Sequence, residues 1–309
     1  MIPLSFHKIQ SATSGLDAVD KVSVWEPETS ERILVLAPHP DDESLMAGGV
    51  IAAMQQCQPK SEVRVIIVTN GDASYTTALF HGSHIITKRH FWSIAEERQQ
   101  ESLAALILLE INKSQVYFWG FPDRGLSQLW LKYWNGHESY CSPTTGYRRA
   151  EQAINSPALQ YTGINLLRLI QAELMTFKPT TIIFPHSRDA HADHRALANF
   201  TILAASLRYP QQVVPQMLAY TTWLGSKLWM TGMQTTKKAR TALSRRALRN
   251  EWKLFPLSKS VLEQKALALG CYFSQGFSAG KLLRTSSKNP QEIFELVSPL
   301  FLDAEIGVH

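Results

Sequence analysis

Short apolar segments rich in β-branched residues alternate with amphipathic segments along much of the chain, and this alternation limits the folds that it can adopt. Residues 32–38 (RILVLAP) and 63–70 (VRVIIVTN) have the near-continuous apolar character of strands buried on both faces of a parallel sheet. Residues 44–56, between them, have the pattern of a helix. Strands that alternate with helices predict a three-layer α/β/α fold with a mostly parallel sheet.

The same alternation continues downstream. Further strands are predicted at 115–120, 180–185 and 216–223, and further helices at 91–111, 164–177, 194–207 and 260–273. The polar, aromatic-rich segment 126–163 interrupts the alternation, and a loop of this length is usually functional or covers a site. We expect a single domain over residues 1–309, with a core at about 30–225 and a C-terminal elaboration at about 226–309.

Composition excludes several classes of protein. The chain is 45% hydrophobic and 18% charged, an ordinary globular balance. Its cysteines form no CxxC pair, so neither a disulfide framework nor a cysteine zinc site is expected. The N-terminus lacks the basic and apolar regions of a signal peptide, and no apolar run approaches the roughly 18 residues of a membrane span. We therefore expect a cytoplasmic protein.

The net charge of +5 is concentrated in the basic segment 237–253, which carries one acid. Such a segment can meet nucleic acid or an anionic membrane surface. No nucleic-acid motif accompanies it, so we expect no nucleic-acid partner. A solvated face with its apolar residues turned inward is favoured. Peripheral membrane contact through Arg245, Arg246 and Arg249 is kept as a weaker hypothesis.

Polar loops follow four of the predicted strands. They read APHPDDES, TNGDAS, GFPDRG and PHSRDAHADH. Ligands of open α/β sheets bind beyond the carboxyl ends of the strands, so we expect these loops to meet in one crevice. The first loop has neither GxGxxG nor the P-loop lysine, which disfavours a dinucleotide or a phosphate. Its clustered carboxylates favour a cation instead.

His39, Asp41 and Asp42, in that first loop, have the chemistry of a metal site. A histidine and a carboxylate, with a second source of histidine, are typical of zinc ligation that leaves a position for water. Adjacent residues in an extended turn point in different directions. One aspartate is therefore expected to bind the ion and the other to act on water, as metal-assisted hydrolysis requires.

His191 and His194, in HADH, are that second source of histidine. One can bind the ion while the other stabilises an oxyanion. Asp189 or Asp193 can orient either ring, as carboxylates behind metal ligands do. His186 competes as a ligand, but it lies closer to the strand and has no such acid beside it.

APHPDDESLMAGG together with PHSRDAHADHRAL resembles the PIG-L (LmbE-like) family of zinc-dependent N-deacetylases. The resemblance runs over about residues 30–225, with HPDDE unchanged and Ala192 in place of the proline of HPDH. It implies a Rossmann-like, LmbE-like fold. It also implies a metal-dependent hydrolase that removes an N-acetyl group from an N-acetylglucosaminyl-type amino sugar or conjugate, releasing acetate and free amine.

The resemblance further implies roles for individual residues. The implied zinc ligands are His39, Asp42 and His194, and Fe²⁺ suits a similar ligand set. Asp41 would be the general base, His191 would stabilise the oxyanion, and Asp193 would tune His191. The implied substrate contacts are Arg98, Asp123, Asp72 and Gln275.

Two alternatives to acetyl hydrolysis stay open. One is an amidase for a longer N-acyl group on a glycoconjugate, because the sequence does not give the size of the pocket. The other is a non-catalytic sugar-binding protein on the same fold, which the intact base and ligands disfavour. In each case the expected partner is a small-molecule or lipid-linked amino sugar.

Overall fold

The structure, a computed structural model, describes residues 21–28, 30–56, 61–80, 85–209, 214–222, 251–276 and 279–298. The strands are β1 (Lys21–Val24), β2 (Arg32–Ala37), β3 (Glu62–Thr69), β4 (Val116–Phe121), β5 (Thr181–Pro185), β6 (Gln216–Tyr220), β7 (Glu251–Pro256) and β8 (Gln291–Leu296). The helices are α1 (Asp42–Gln56), α2 (Tyr75–Phe80), α3 (Lys88–Leu108), α4 (Leu126–Leu131), α5 (Gly163–Thr176), α6 (Ala192–Arg208), α7 (Lys259–Leu269) and α8 (Gly280–Ser286). Most of the basic segment 237–253, including Arg245, Arg246 and Arg249, lies outside the described residues.

These strands form one sheet in the order β1-β7-β8-β6-β5-β2-β3-β4. Within it, β8 runs antiparallel to β6 and β7, and the other pairs are parallel. Side chains of β2 alternate between two cores: Ile33 and Val35 face one, and Leu34 and Leu36 face the other. Helices cover both faces, so the predicted α/β/α fold with a mostly parallel sheet is confirmed.

The order in which successive strands are placed across the sheet reverses at β2. β3 and β4 lie on one side of β2, whereas β5 and β6 lie on the other. The crevice beyond the carboxyl ends of β2 and β5 is the switch point where open α/β sheets bind ligands. The turn that carries His39 and the loop that leads into α6, which carries His194, both begin there.

The C-terminal part of the chain completes this sheet, which the sequence did not predict. β7 and β8 extend the sheet beyond β6, and α7 packs against α1. Gly49 of α1 lets the residues just before α7 lie close to α1, since a Cβ at Gly49 would collide with Leu257. Among the described residues, no helix is long and apolar enough to cross a membrane.

The segment 126–163, predicted as a loop, begins with α4 and is pinned to the sheet. Ile154 pairs with Phe118 of β4 through two backbone hydrogen bonds of 3.0 and 2.8 Å. The Tyr161 hydroxyl donates to the carbonyl of Gly120 at 2.9 Å. The segment therefore packs along β4, which β3 separates from β2.

Candidate metal and catalytic site

The turn after β2 places His39, Asp41 and Asp42 at the switch point. The Pro38 carbonyl, which ends the strand, accepts from the backbone amide and the hydroxyl of Thr69 at 3.0 and 2.8 Å. The Asp42 amide donates to the His39 carbonyl at 3.2 Å and starts α1. Asp41 has a φ of 130°. Such a conformation costs an L-residue of order 1–3 kcal/mol and is typical of functional sites.

The three residues predicted as metal ligands lie together and are buried. Asp42 Oδ2 lies 3.2 Å from His39 Nδ1 and 3.1 Å from His194 Nε2. Zinc bonds of about 2.0–2.1 Å in a tetrahedral site separate the ligand atoms by roughly 3.3 Å, so these distances suit donors around one ion. Neither ring nitrogen of the buried His194 makes an aligned hydrogen bond. The residues present therefore fit a divalent metal.

Two groups of three potential ligands share His39, and Asp42 belongs to neither of them. One joins His39 to His191 and His194, the other to Asp123 and Asp193, and within each group the donor atoms lie within 4.8 Å of one another. Asp123 and Asp193 lie 3.2 and 3.4 Å from His39 Nε2, the nitrogen opposite to the one that faces Asp42. Metal-ligating histidines usually donate their second N–H to a carboxylate, so these two acids are better placed to orient His39 than to bind the ion.

Asp189 is placed to orient the ring of His194, as Asp123 and Asp193 are placed to orient His39. Its Oδ2 lies 3.3 Å from His194 Nδ1, and its carboxylate accepts from the backbone amides of Thr222 and His191 at 2.7 and 2.9 Å. Burial would lower the pKa of His194, but the Asp42 charge and the contact with Asp189 raise it to about 9. The ring is thus held between two carboxylates.

The Asp193 carboxylate contacts His39 Nε2, and its charge also opposes the lowering of the pKa of His191, the residue that it was predicted to tune. The Asp193 carboxylate also accepts from the backbone amides of Arg124 and Leu126 at 2.6 and 3.0 Å. It thereby ties the loop after β4 to the start of α6. Although burial opposes the change, hydrogen bonds to Asp123, Asp193 and Asp42 raise the pKa of His39 well above its usual value.

Asp41 faces the cavity beside the ligands and is 7% exposed. Burial raises the pKa of Asp41 to about 7, against the effect of the Arg98 guanidinium, whose nitrogen lies 3.5 Å from Asp41 Oδ2. Arg98 was predicted to contact substrate. It donates to the carbonyls of Pro40 and Gly71 at 2.6 and 2.8 Å, so it also holds the turn that carries Asp41.

His191 lies at the edge of the cluster, partly exposed and lining the cavity. Burial, followed by the neighbouring His39 and His194, lowers the pKa of His191 to about 4, so the ring is neutral. Its Nδ1 accepts from the Asp193 amide at 3.3 Å, which leaves the proton on Nε2. A neutral ring that carries a proton on this nitrogen can donate a hydrogen bond to a developing oxyanion.

A cavity of about 210 Å³ opens onto these groups. Its polar lining includes His39, Asp41, Asp42, Arg98, Asp123, His191, Thr222 and Gln275. Leu45, Ala279 and Leu282 form apolar parts of its wall. The volume is small, and the apolar residues come from α1 and from the C-terminal part of the chain.

The predicted substrate contacts divide into two groups. Arg98, Asp123 and Gln275 line the cavity, although both oxygens of Asp123 are engaged: Oδ1 with His39, and Oδ2 with the Ala73 amide at 2.8 Å. Asp72 is absent from that lining, and it accepts from the Thr144 hydroxyl at 3.4 Å. Asp72 therefore anchors the segment 126–163 to the end of β3.

Sequence reasoning missed Thr222. Its hydroxyl contacts Asp42 Oδ1 at 3.3 Å while its amide donates to Asp189. Thr222 lies just beyond the end of β6, so the rule that sites form at strand ends would have identified it. His186, the competing ligand, lies 3.0 Å from Glu295 and outside the ligand cluster.

Solved structures share this fold. A deacetylase of the A40926 pseudoaglycone is 17% identical with a TM-score of 0.55, covering 88% of this chain and 98% of its own. The N,N'-diacetylchitobiose deacetylase of Pyrococcus horikoshii is 16% identical with a TM-score of 0.52, covering 87% and 84%. GalB, the 4-carboxy-2-hydroxymuconate hydratase of Pseudomonas putida KT2440, is 13% identical with a TM-score of 0.52, covering 87% and 97%. At these identities the likeness shows the fold alone.

No curated protein sequence matches the chain. The family model for PIG-L, described as GlcNAc-PI de-N-acetylase, matches residues 34–205, which is more than half of the chain. This match spans both motifs at the switch point, from the turn after β2 to α6. The chain belongs to the PIG-L family.

Proposed function

We propose that the protein is a metal-dependent N-deacetylase of an N-acetylglucosaminyl-type amino sugar or conjugate, releasing acetate and free amine. The observation that carries the proposal is that two adjacent carboxylates have different surroundings. Asp42 contacts His39 and His194, whereas Asp41 faces the cavity. Membership of the PIG-L family supports the substrate class. Two proteins of the same fold are described as deacetylases of a chitobiose and of an antibiotic pseudoaglycone.

His39, Asp42 and His194 would hold the metal. Two imidazoles and a carboxylate suit Zn²⁺, with Fe²⁺ as the alternative. When bound, such an ion polarises the acetyl carbonyl and makes water more acidic. Asp123, Asp193 and Asp189 would keep the two rings oriented.

Asp41 would act first as a base and then as an acid. It accepts a proton from a water molecule whose oxygen attacks the carbonyl carbon of the amide. The carbon becomes tetrahedral, and the oxyanion receives a hydrogen bond from Nε2–H of His191. Asp41 then gives its proton to the amine nitrogen as the C–N bond breaks. Acetate and the free amine leave the cavity.

Four residues are proposed to act in substrate binding, three of them in the cavity wall and Asp72 indirectly. They are Arg98, Asp123, Asp72 and Gln275. Gln275, Asp123 and Arg98 line the cavity, and Arg98 also holds the turn that carries Asp41. Asp72 would act from a greater depth, through the segment that it anchors.

Metal analysis combined with assays of amine release tests the proposal. The wild-type protein should contain one Zn²⁺ or Fe²⁺ per chain and should deacetylate at least one N-acetylglucosaminyl conjugate. Asp41→Asn should retain the metal but lose about 10²- to 10⁴-fold in turnover, since it removes the general base. His194→Ala should lose the metal as well, whereas the exposed control Glu151→Gln should change neither.

Wild-type turnover in Asp41→Asn or His194→Ala would contradict the assignment. Conjugates that carry longer acyl groups belong in the same assay, because the cavity of about 210 Å³ is expected to favour acetyl. Faster hydrolysis of a longer acyl chain would support the amidase alternative. Tight sugar binding with neither metal nor hydrolysis would support the non-catalytic alternative.

A further inference from the structure

We propose that Tyr272 and Ser102 are positioning residues for the general base, acting through the buried carboxylate of Glu43 to hold the turn at Asp41. The proposal rests on the proposed function only in taking Asp41 as the base. It concerns a hydrogen-bond network behind the cavity. None of these three residues lines the cavity itself.

The network begins at the backbone of Asp41. Its amide donates to Glu43 Oε2 at 3.0 Å, and its carbonyl accepts from the Leu45 amide at 2.8 Å. Asp41 has a φ of 130°, which an L-residue keeps only where its surroundings impose it. Glu43 is fully buried, so its carboxylate occupies a fixed position that imposes this conformation.

Two hydroxyl groups fix the other oxygen of Glu43. The Tyr272 hydroxyl donates to Oε1 at 2.6 Å, and the Ser102 hydroxyl donates to the same oxygen. Ser44 lies 2.8 Å from the Tyr272 oxygen and donates to it, because the tyrosine proton is already engaged. Burial and the charge of Glu43 raise the pKa of Tyr272 well above its usual value, so the hydroxyl stays a donor.

The two hydroxyls come from different elements of the fold. Ser102 lies on α3, one turn beyond Arg98, which contacts the same turn from the side. Tyr272 follows α7, outside residues 34–205 that match the family model. The C-terminal part of the chain therefore contacts Glu43, and through it the turn of Asp41, by a hydrogen bond between residues 229 positions apart.

Removal of either hydroxyl should affect catalysis more than binding. Glu43 would lose a donor, and the turn could relax toward an ordinary φ, carrying the Asp41 carboxylate away from water. Asp42 is the first residue of α1, and His194 belongs to α6. His39 lies in the turn itself, but its ring contacts Asp123 and Asp193. The proposed metal ligands would therefore remain in place. Apart from Asp41, the residues that line the cavity would also keep their positions, because neither hydroxyl lines it. We therefore expect kcat to fall, with KM and metal content retained.

Tyr272→Phe and Ser102→Ala, singly and together, test this inference. The substrate is p-nitrophenyl N-acetyl-β-glucosaminide, with the free amine measured. Each single variant should lower kcat by about 10- to 100-fold, the effect expected for a reacting group displaced by about 1 Å. Metal content should match the wild type. Tyr161→Phe is the matched control, because it removes a buried hydroxyl that donates to Gly120, and its kcat should be unchanged.

Crystal structures of the wild type and of Tyr272→Phe provide a readout independent of turnover. The φ of Asp41 should shift and its carboxylate should move in the variant, while His39 and His194 stay in place. An unmoved Asp41, an unchanged kcat, or a loss that is equal in Tyr161→Phe would overturn the inference. An inactive wild type would count against the proposed function, and the structural comparison would still decide the positioning.

Discussion

Asp41 and Asp42 are adjacent in the chain and face different partners because the backbone changes direction between them. Asp42 is the first residue of a helix, and its carboxylate turns back toward His39 and His194. Asp41 lies in the turn before the helix, with a φ of 130°, and its carboxylate faces the cavity. The strained backbone of Asp41 thus lets the proposed base and the proposed ligand Asp42 point in different directions, although they are consecutive in sequence.

Asp189 should control metal affinity through His194. Asp189→Asn removes the charge behind the ring but leaves its size, so we expect affinity for Zn²⁺ to fall by about 10- to 100-fold. Competition with a chelator measures the affinity. Glu173→Gln is the control, because it removes a carboxylate that pairs with Arg64 at the opposite end of the strands. Equal affinity in the wild type and Asp189→Asn would show that the contact does not orient the ligand.

At the scale of elements, a buried carboxylate from β8 joins the C-terminal part of the chain to α1. Glu292 accepts from the backbone amides of Gly49 and Val50 at 2.7 and 2.9 Å. Lys265 of α7 contacts the same carboxylate at 2.6 Å, and both side chains are almost fully buried. Helix α1 carries Asp42 at its start, so this link supports the element that presents a predicted metal ligand.

Lys265→Met should destabilise the protein strongly, since it leaves Glu292 buried and uncompensated. The expected loss in unfolding free energy is about 3–5 kcal/mol. The double variant Lys265→Met/Glu292→Gln should recover part of that loss, because the buried charge is gone. Denaturant unfolding of the single and double variants measures the coupling.

An exposed pair on the same helix is the matched control. Lys259 and Glu263 lie 3.8 Å apart with side chains 91% and 65% exposed. The corresponding variants should cost about 0.5 kcal/mol or less. If the buried pair gave no larger coupling than this exposed pair, it would not be a structural link.

For the whole molecule, we propose that residues 1–309 form one domain, because the two ends of the described part of the chain share a sheet. β1 pairs only with β7 among the described strands, and β8 lies between β6 and β7. The C-terminal part also supplies Tyr272 behind the site and Gln275 in the cavity wall. Both ends of the described chain are therefore integral parts of the sheet.

Truncation after residue 222 should abolish cooperative folding. It would expose the edge of β6 and the face of α1 that packs against α7, and it would leave β1 without its partner. Calorimetry should show one transition for the full chain and none for the truncated chain. A truncated protein that unfolds cooperatively and binds one metal ion would establish an independent core instead.

Much of the fold could be predicted because periodicity is a local property. The apolar runs at 32–38 and 63–70 became β2 and β3, and their alternating side chains fill two cores. The polar loops at strand ends then followed from topology. β7 and β8 could not be predicted in this way, since they join a sheet whose other strands lie far away in sequence.

The sequence by itself determined the fold class, the family and the cluster of histidines and aspartates at one end of the sheet. Those features depend on residue types and their spacing, and both can be read directly along the chain. Only the tertiary structure decided which partner each carboxylate contacts. Asp189 contacts His194, Asp193 contacts His39, and Glu43 accepts a hydrogen bond from Tyr272. The last two of these contacts join residues more than 150 positions apart, so packing and the direction of each side chain decide them.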